Sequence, residues 1–230
     1  MTGTSAFFDL TFDGSGGAWA LAAAATVSDD LSVTTGTFST SGTNYDLTAG
    51  RISISAGGTF TANGSTITLN GTGDLFTKNT GTFNANTSTV VMNPNASVTV
   101  ITGGGATTFN NLTLSPTITV ARTYTFGSNA ITIDGNFNIN PTASSVLALT
   151  VNMGAAITVG ATKTTTITRT TSATSNLDTT GTNYALSTGL LDIATGGTLT
   201  ANGSTVTLTG TTGTLFTRTG TFTQGTSTVT

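Results

Sequence analysis

The chain contains no cysteine, no histidine and no glutamate, and it has only three prolines and one tryptophan. Without cysteine there are no disulfides and no thiolate metal ligands. Charge is scarce as well: 7% of residues are charged, against about a quarter in an ordinary globular chain. Six basic residues cannot make a nucleic-acid footprint. No apolar run approaches the roughly 18 residues of a membrane span. The stretch Trp19 to Val27 lacks a basic leader and runs into Asp29 and Asp30, so it reads as mature chain rather than the core of an export signal. Low charge also argues against disorder, because 36% of residues are hydrophobic and the net charge is only −3.

Threonine, glycine, serine and asparagine fill the polar positions instead. Threonine is β-branched and favours strands, while glycine and asparagine favour turns. These residues recur in phrases. Residues 42–71 read GTNYDLTAGRISISAGGTFTANGSTITLNG, and residues 181–210 read GTNYALSTGLLDIATGGTLTANGSTVTLTG. About two thirds of the aligned positions are identical, and the match extends over 42–91 and 181–230. Inside this long repeat lies a short one. Gly-Thr-Phe recurs at Phe38, Phe60 and Phe83, at nearly equal intervals, and the matching positions of the second copy are Leu177, Leu199 and Phe222.

A period in the twenties built of strands and turns is the mark of a solenoid. Within one period, Phe60 and Ala62, then Ile67 and Leu69, then Leu75 and Phe76 form three apolar patches separated by Asn63-Gly64 and Asn70-Gly71. Thr66-Ile67-Thr68-Leu69 alternates with period two, which places Ile67 and Leu69 on one face. The reading is therefore all-β: one continuous β-solenoid over residues 1–230, a right-handed parallel β-helix with three short strands per 22–23-residue rung. Its inward columns are expected to include Phe38, Phe60 and Phe83, Ile67 and Val90, and Leu199 and Val206. Further inward candidates are Ile118 with Val120 and Tyr124 with Phe126; between Val146 and Ile167 the spacing blurs.

A solenoid without caps exposes strand edges that recruit other strands. No capping element is visible, and the C-terminal phrase Ser227 to Thr230 matches Ser88 to Val91. The expected assembly is head-to-tail stacking of copies through Phe7, Leu10 and Phe12 at one end and Phe222 and Val229 at the other. The same pattern also fits a piece cut from a longer repeat protein.

Candidate chemistry is thin, and no cofactor or metal is expected. The nine aspartates are the only acids, and a carboxylate pair could serve a polysaccharide-active enzyme. Asp46 and Asp192 face Ala185 and Ser53 in the other copy, so the acids change where glycine and threonine stay. Solubilising charge is the plainer reading, and no enzyme activity is expected. Asp29 and Asp30, with Asp9 and Asp13, are oxygen ligands of the type calcium takes, but the nine-residue Gly-Asp repeat of calcium β-rolls is absent. Lys78 and Arg218 occupy matching positions and read as corner charges. Outward threonine pairs such as Thr59 and Thr61 resemble the surface of solenoid ice-binding proteins. Sequons stand at Asn63, Asn70, Asn86, Asn95, Asn111 and Asn202. Trp19, Tyr45 and Tyr184 could stack on sugars but read better as corner packing.

The phrases GTFNANTSTVVMNP, GGGATTFNNLTLSP and NAITIDGNFNI resemble very large bacterial surface proteins of the filamentous-haemagglutinin and autotransporter-passenger type. That resemblance implies secretion and a structural or adhesive role at the cell surface, with no catalytic residues to carry over. The expected function is a self-assembling fibre subunit or a stalk segment of a giant adhesin. The expected partner is the protein itself, with glycans or a cell surface beyond it. The alternative is a ligand-binding face for ice or glycans.

Overall fold

Ten turns of parallel β-strand lie one upon another, each about 23 residues long. The computed structural model describes residues 5–230, so the start of the expected 1–230 solenoid lies outside the described residues. None of the described residues is helical, and no helix is long and apolar enough to cross a membrane. Each turn contributes one strand to each of three faces, called I, II and III in chain order. The first turn places Ser5–Phe7 on face I and Leu10–Ala20 on faces II and III. The last places Phe216–Arg218, Thr221–Thr223 and Thr228–Val229 on faces I, II and III.

Face I is the most regular. Its strands pair without a slip from the first turn to the last. One inward column runs Phe7, Val27, Ala49, Leu69, Met92, Leu114, Ile139, Ile167, Ile193 and Arg218, ten levels in a row. Val27 to Ile193 are completely buried. At about 4.8 Å between levels, the rod is on the order of 50 Å long.

Like sits upon like in the expected columns. Phe38 pairs with Phe60 and Phe60 with Phe83, with ring centroids 5.3 and 5.6 Å apart. Ile67 pairs with Val90. Phe38 and Phe60 are fully buried, while Phe83 is half-buried. The reason is a break in face III. Thr82–Asn84 has no ladder to Thr107–Phe109 above it, and the Phe83 ring bridges the gap by packing on Phe76 and Phe109 at 5.0 and 5.6 Å.

The blurred stretch has a physical cause. The turn from Leu112 to Phe137 is longer than the turn from Val90 to Leu112 below it, and the turn from Phe137 to Thr165 is longer still. The extra residues bulge outward at the corner between faces I and II. There Thr117 bridges to Thr142, and Thr142–Ala143 pairs with Thr170–Thr171 in a small separate sheet. Val120 and Val146 sit on this bulge, 49% and 78% exposed. The expected inward place for Val120 is therefore wrong: Ile118 is buried, but the chain has left the face by residue 120.

The two copies of the long repeat do not lie on the same faces. Leu47 pairs with Ile67 on face I at the third turn. Its counterpart Leu186 pairs with Ile157 and Val206 on face III at the eighth turn. Ile52 is on face II, and its counterpart Leu191 is on face I. Phe60 is on face III, and Leu199 is on face II. The second copy thus follows the first by five turns and two further faces. Leu199 and Val206 are both fully buried, but in columns other than those of Phe60 and Ile67.

Candidate functional site

The acids were the first candidates for chemistry. Three of them come together: carboxylate oxygens of Asp9, Asp29 and Asp30 lie within 4.8 Å of one another at the corner between faces I and II. Consecutive turns stack the corner, so residues one winding apart in sequence become neighbours. Arg51, one turn further on, donates from Nε to Asp30 at 2.6 Å and from Nη2 to Asp29 at 2.7 Å. The hydrogen bond to Asp30 is the main cause that holds the guanidinium above its ordinary pKa; burial opposes it, and the charges of Asp30 and Asp29 and the hydrogen bond to Asp29 add to it. The positive charge that this cluster calls for is supplied by the chain itself. Asp13 lies outside the cluster and accepts a hydrogen bond from the Thr35 hydroxyl at 2.9 Å.

Other aspartates act on the backbone. Asp46 accepts the amide of Thr66 at 2.9 Å. Asp178 accepts the amide of Thr180 at 2.7 Å and the Asn202 side chain at 2.8 Å. The bond to Thr180, two residues on, is a local Asx turn; the other two tie one turn of the coil to the next. Sequence reading found the acids but missed Arg51 as their partner. The signal was present, because the interval from Asp29 to Arg51 is one turn of the coil.

The surface of the described residues includes two depressions of about 350 and 360 Å³. The first is lined by Asp30, Ser32, Arg51, Ile52, Ser53, Asp74 and Thr77, and so is floored by the Arg51 ion pairs. The second is lined by glycine, alanine, serine and threonine around Gly16 and Gly36. The Thr35 hydroxyl that lines the second is the one that donates to Asp13.

The corners reuse one hydrogen-bonded device. Asn44 accepts the amide of Gly64 at 2.9 Å, and Asn183 accepts that of Gly203 at 2.8 Å. The Thr40 hydroxyl donates to the carbonyl of Ala62 at 2.7 Å, and that of Thr179 to Ala201 at 2.9 Å. Asn44 and Asn183 have φ near 61°, a left-handed angle that asparagine tolerates better than most residues. Tyr45 and Tyr184 follow and lie half-buried against the core. Of the sequons, Asn63, Asn95, Asn111 and Asn202 commit their side chains to hydrogen bonds along the stack.

Of the residues expected to mediate assembly, Phe7, Leu10 and Phe12 belong to the first turn and Phe222 and Val229 to the last. Phe7, Leu10 and Trp19 are half-buried in the first turn, and Phe12 is buried on Phe38 with ring centroids 4.4 Å apart. In the last turn Phe216 and Phe222 are half-buried, and Val229 is 43% exposed. Each of these last strands has one paired neighbour among the described residues, below it in the stack. No protein family, no curated protein and no solved structure matches the chain.

Proposed function

We propose that this chain is a structural rod that works outside the cell, as the subunit of a head-to-tail fibre or as a stalk segment of a long surface adhesin. The observation that carries the reading is the unslipped ten-level ladder of face I, whose end levels pair on one side only among the described residues. Such a rod resists bending through backbone hydrogen bonds and stacked columns, and any added turn extends it at no change of design. Its partner is another run of the same coil. The polar, weakly charged outer surface suits a hydrated setting with glycans or a cell surface nearby.

Negative-stain electron microscopy and sedimentation of the isolated chain test this. The expected result is filaments one rod wide that lengthen with protein concentration. Single rods on the order of 50 Å that stay monomeric at high concentration would overturn self-assembly.

A second reading, a surface that binds an ordered ligand such as ice or a glycan lattice, has one observation in its favour. Outward hydroxyls stack on face III through Thr108, Thr132, Thr158, Ser187 and Thr207, and Thr230 continues the rank with Oγ1 3.4 Å from that of Thr207. An ice-recrystallisation assay tests it; growth of ice grains unaffected by the protein would remove the ice form of the reading.

A further inference from the structure

We propose that Asn63-Gly64 and Asn202-Gly203 are sites poised for self-modification, where the glycine nitrogen can close on the asparagine carboxamide to form a cyclic imide, and that Asn44 and Asn183 guard them by holding the glycine N–H. This goes beyond the structural role above and holds whether or not the rods assemble.

The backbone comes first. Residues 62–65 form a tight turn closed by the Ser65 amide, which donates to the Ala62 carbonyl at 3.1 Å. Residues 201–204 repeat it, with Ser204 donating to Ala201 at 2.9 Å. Asn63 and Asn202 both have φ of 50°, and neither Gly64 nor Gly203 is left-handed. That combination defines a type II′ turn, whose first central residue has ψ of about −120°. At this angle the next backbone nitrogen eclipses Cβ, which is the arrangement a five-membered imide ring requires. The resting turn is thus already close to the attack geometry. Glycine follows each asparagine for a separate reason. A Cβ on Gly64 would lie 3.1 Å from Asn44 Cγ, and one on Gly203 would lie 3.1 Å from Asn183 Nδ2. Glycine leaves its nitrogen unscreened by any side chain. The same turn one level up, at residues 85–88, has Asn86 at φ 48° followed by Thr87, whose branched side chain screens the nitrogen.

Ring closure requires the glycine nitrogen to give up its proton and bond to the asparagine Cγ. The Cγ–Nδ2 bond then breaks, and Nδ2 takes up a proton and leaves as ammonia. Water opens the imide at either carbonyl, giving aspartate or isoaspartate. The neighbouring turn opposes the first step. Gly64 donates its N–H to Asn44 Oδ1 at 2.9 Å, and Gly203 donates to Asn183 Oδ1 at 2.8 Å. A neutral carboxamide accepts this hydrogen bond but is no base to remove the proton. One level up the backbone does the same work, as Thr87 donates to the carbonyl of Asn63 at 3.0 Å. Below Gly64 the chain lies in the loop between Ser39 and Leu47, and the Asn44 side chain stands in for that carbonyl. The leaving group is tethered as well. Asn63 Nδ2 donates to Ser39 Oγ at 3.1 Å, and Asn202 Nδ2 to the Asp178 carboxylate at 2.8 Å, the stronger tether of the two.

The test is prolonged incubation of the parent, Asn44→Gly and Asn183→Gly in warm, mildly alkaline buffer, followed by peptide mapping with mass spectrometry and enzymatic detection of isoaspartate. Glycine tolerates the left-handed angle at both positions, so these variants remove the acceptor without straining the backbone. Asn44→Gly should speed conversion at Asn63 about tenfold, the factor that one hydrogen bond is worth, and leave Asn202 unchanged. Asn183→Gly should do the reverse. Asn70-Gly71, whose glycine donates to the carbonyl of Gly50 at 2.9 Å, should stay intact in both. In the parent, hydrogen exchange should find the Gly64 and Gly203 amides protected although both residues are exposed. Freely exchanging amides there would overturn the guard, as would variants that convert no faster than the parent. Asn70 reacting as fast as Asn63 in Asn44→Gly would also overturn it, by showing that unfolding opens the site. An unguarded pair should outrun the same pair in the urea-unfolded chain; a slower rate would overturn the claim that the turn is poised.

Discussion

Leu47 and Leu186 occupy the same place in a repeated phrase and lie on different faces of the rod. The first is stacked with Ile67 on face I, the second with Val206 on face III, and both are fully buried. The corner beside them is rebuilt in the new setting, with the Asn44 bond to Gly64 matched by the Asn183 bond to Gly203. The sequence therefore specifies strand, corner and strand, and leaves the face to be counted out by the winding. The three faces are physically near-equivalent, which is why one phrase suits any of them.

That equivalence makes a prediction about glycine. A Cβ on Gly58 would run into the backbone carbonyl of Val33 in the turn below, and a Cβ on Gly197, the matching residue, would run into that of Ile167. Backbone in the middle of a ladder cannot step aside cheaply. Gly58→Ala and Gly197→Ala should each destabilise by about 1–3 kcal/mol, the usual cost of overpacking. The two values should agree although the sites are on different faces. Urea unfolding of both variants checks this, and a large inequality between them would count against face equivalence.

Phenylalanine columns give a second contrast. Phe60 is fully buried between Phe38 and Phe83. Phe60→Ala should cost about 3–5 kcal/mol. Phe83 lies at the break in face III and is only half-buried, so Phe83→Ala should cost roughly half as much, in proportion to the area withdrawn from water. Equal losses in denaturant titration would mean that Phe83 carries the broken ladder more fully than its burial implies.

The fold was legible because its signal is redundant. The columns repeat apolar character at one level after another, and the period read from Phe38, Phe60 and Phe83 matches the pairing of the turns around them. What escaped the sequence follows from the same physics. The bulge carrying Val120 and Val146 lengthens two turns without changing composition, so alternation alone could not reveal that the chain had left the face. The rotation of the long repeat was hidden because the interval from Leu47 to Leu186 could be divided into turns only once each turn length was known. Arg51 was overlooked because its partners are remote in sequence and adjacent only through the winding.

Tyr124 predicts a limit at high pH. It is completely buried and its hydroxyl donates to the carbonyl of Pro94 at 2.6 Å. Burial pushes its phenol far above the ordinary value of 10.0, with Arg122 opposing weakly. The folded state therefore holds the proton while the unfolded chain releases it. The stabilising contribution is intact below the unfolded pKa and is lost as pH rises above about 10 toward the folded value. The melting temperature should fall above about pH 10. Tyr124→Phe should lose about 1 kcal/mol at neutral pH with its hydrogen bond and show a flatter decline at high pH. An identical decline in parent and variant would assign the alkaline loss to other groups.

Arg51 offers the last test, because the second copy supplies its own control. The matching residue there is Leu190, half-buried on the same kind of strand and without an acidic cluster beside it among the described residues. Leucine thus fits the backbone at this position, so Arg51→Leu isolates the electrostatics. The ion pairs are a third to a half exposed, and pairs of that kind are worth about 0–1 kcal/mol each. Removing the guanidinium leaves three carboxylates crowded at one corner with no counter-charge. The variant should melt a few degrees lower at low ionic strength, and the gap to the parent should narrow as salt screens the repulsion. Mutating Asp30→Asn in the same chain should recover part of the loss. A loss that salt leaves unchanged would show that Arg51 holds the corner by packing along its aliphatic stem instead of by charge.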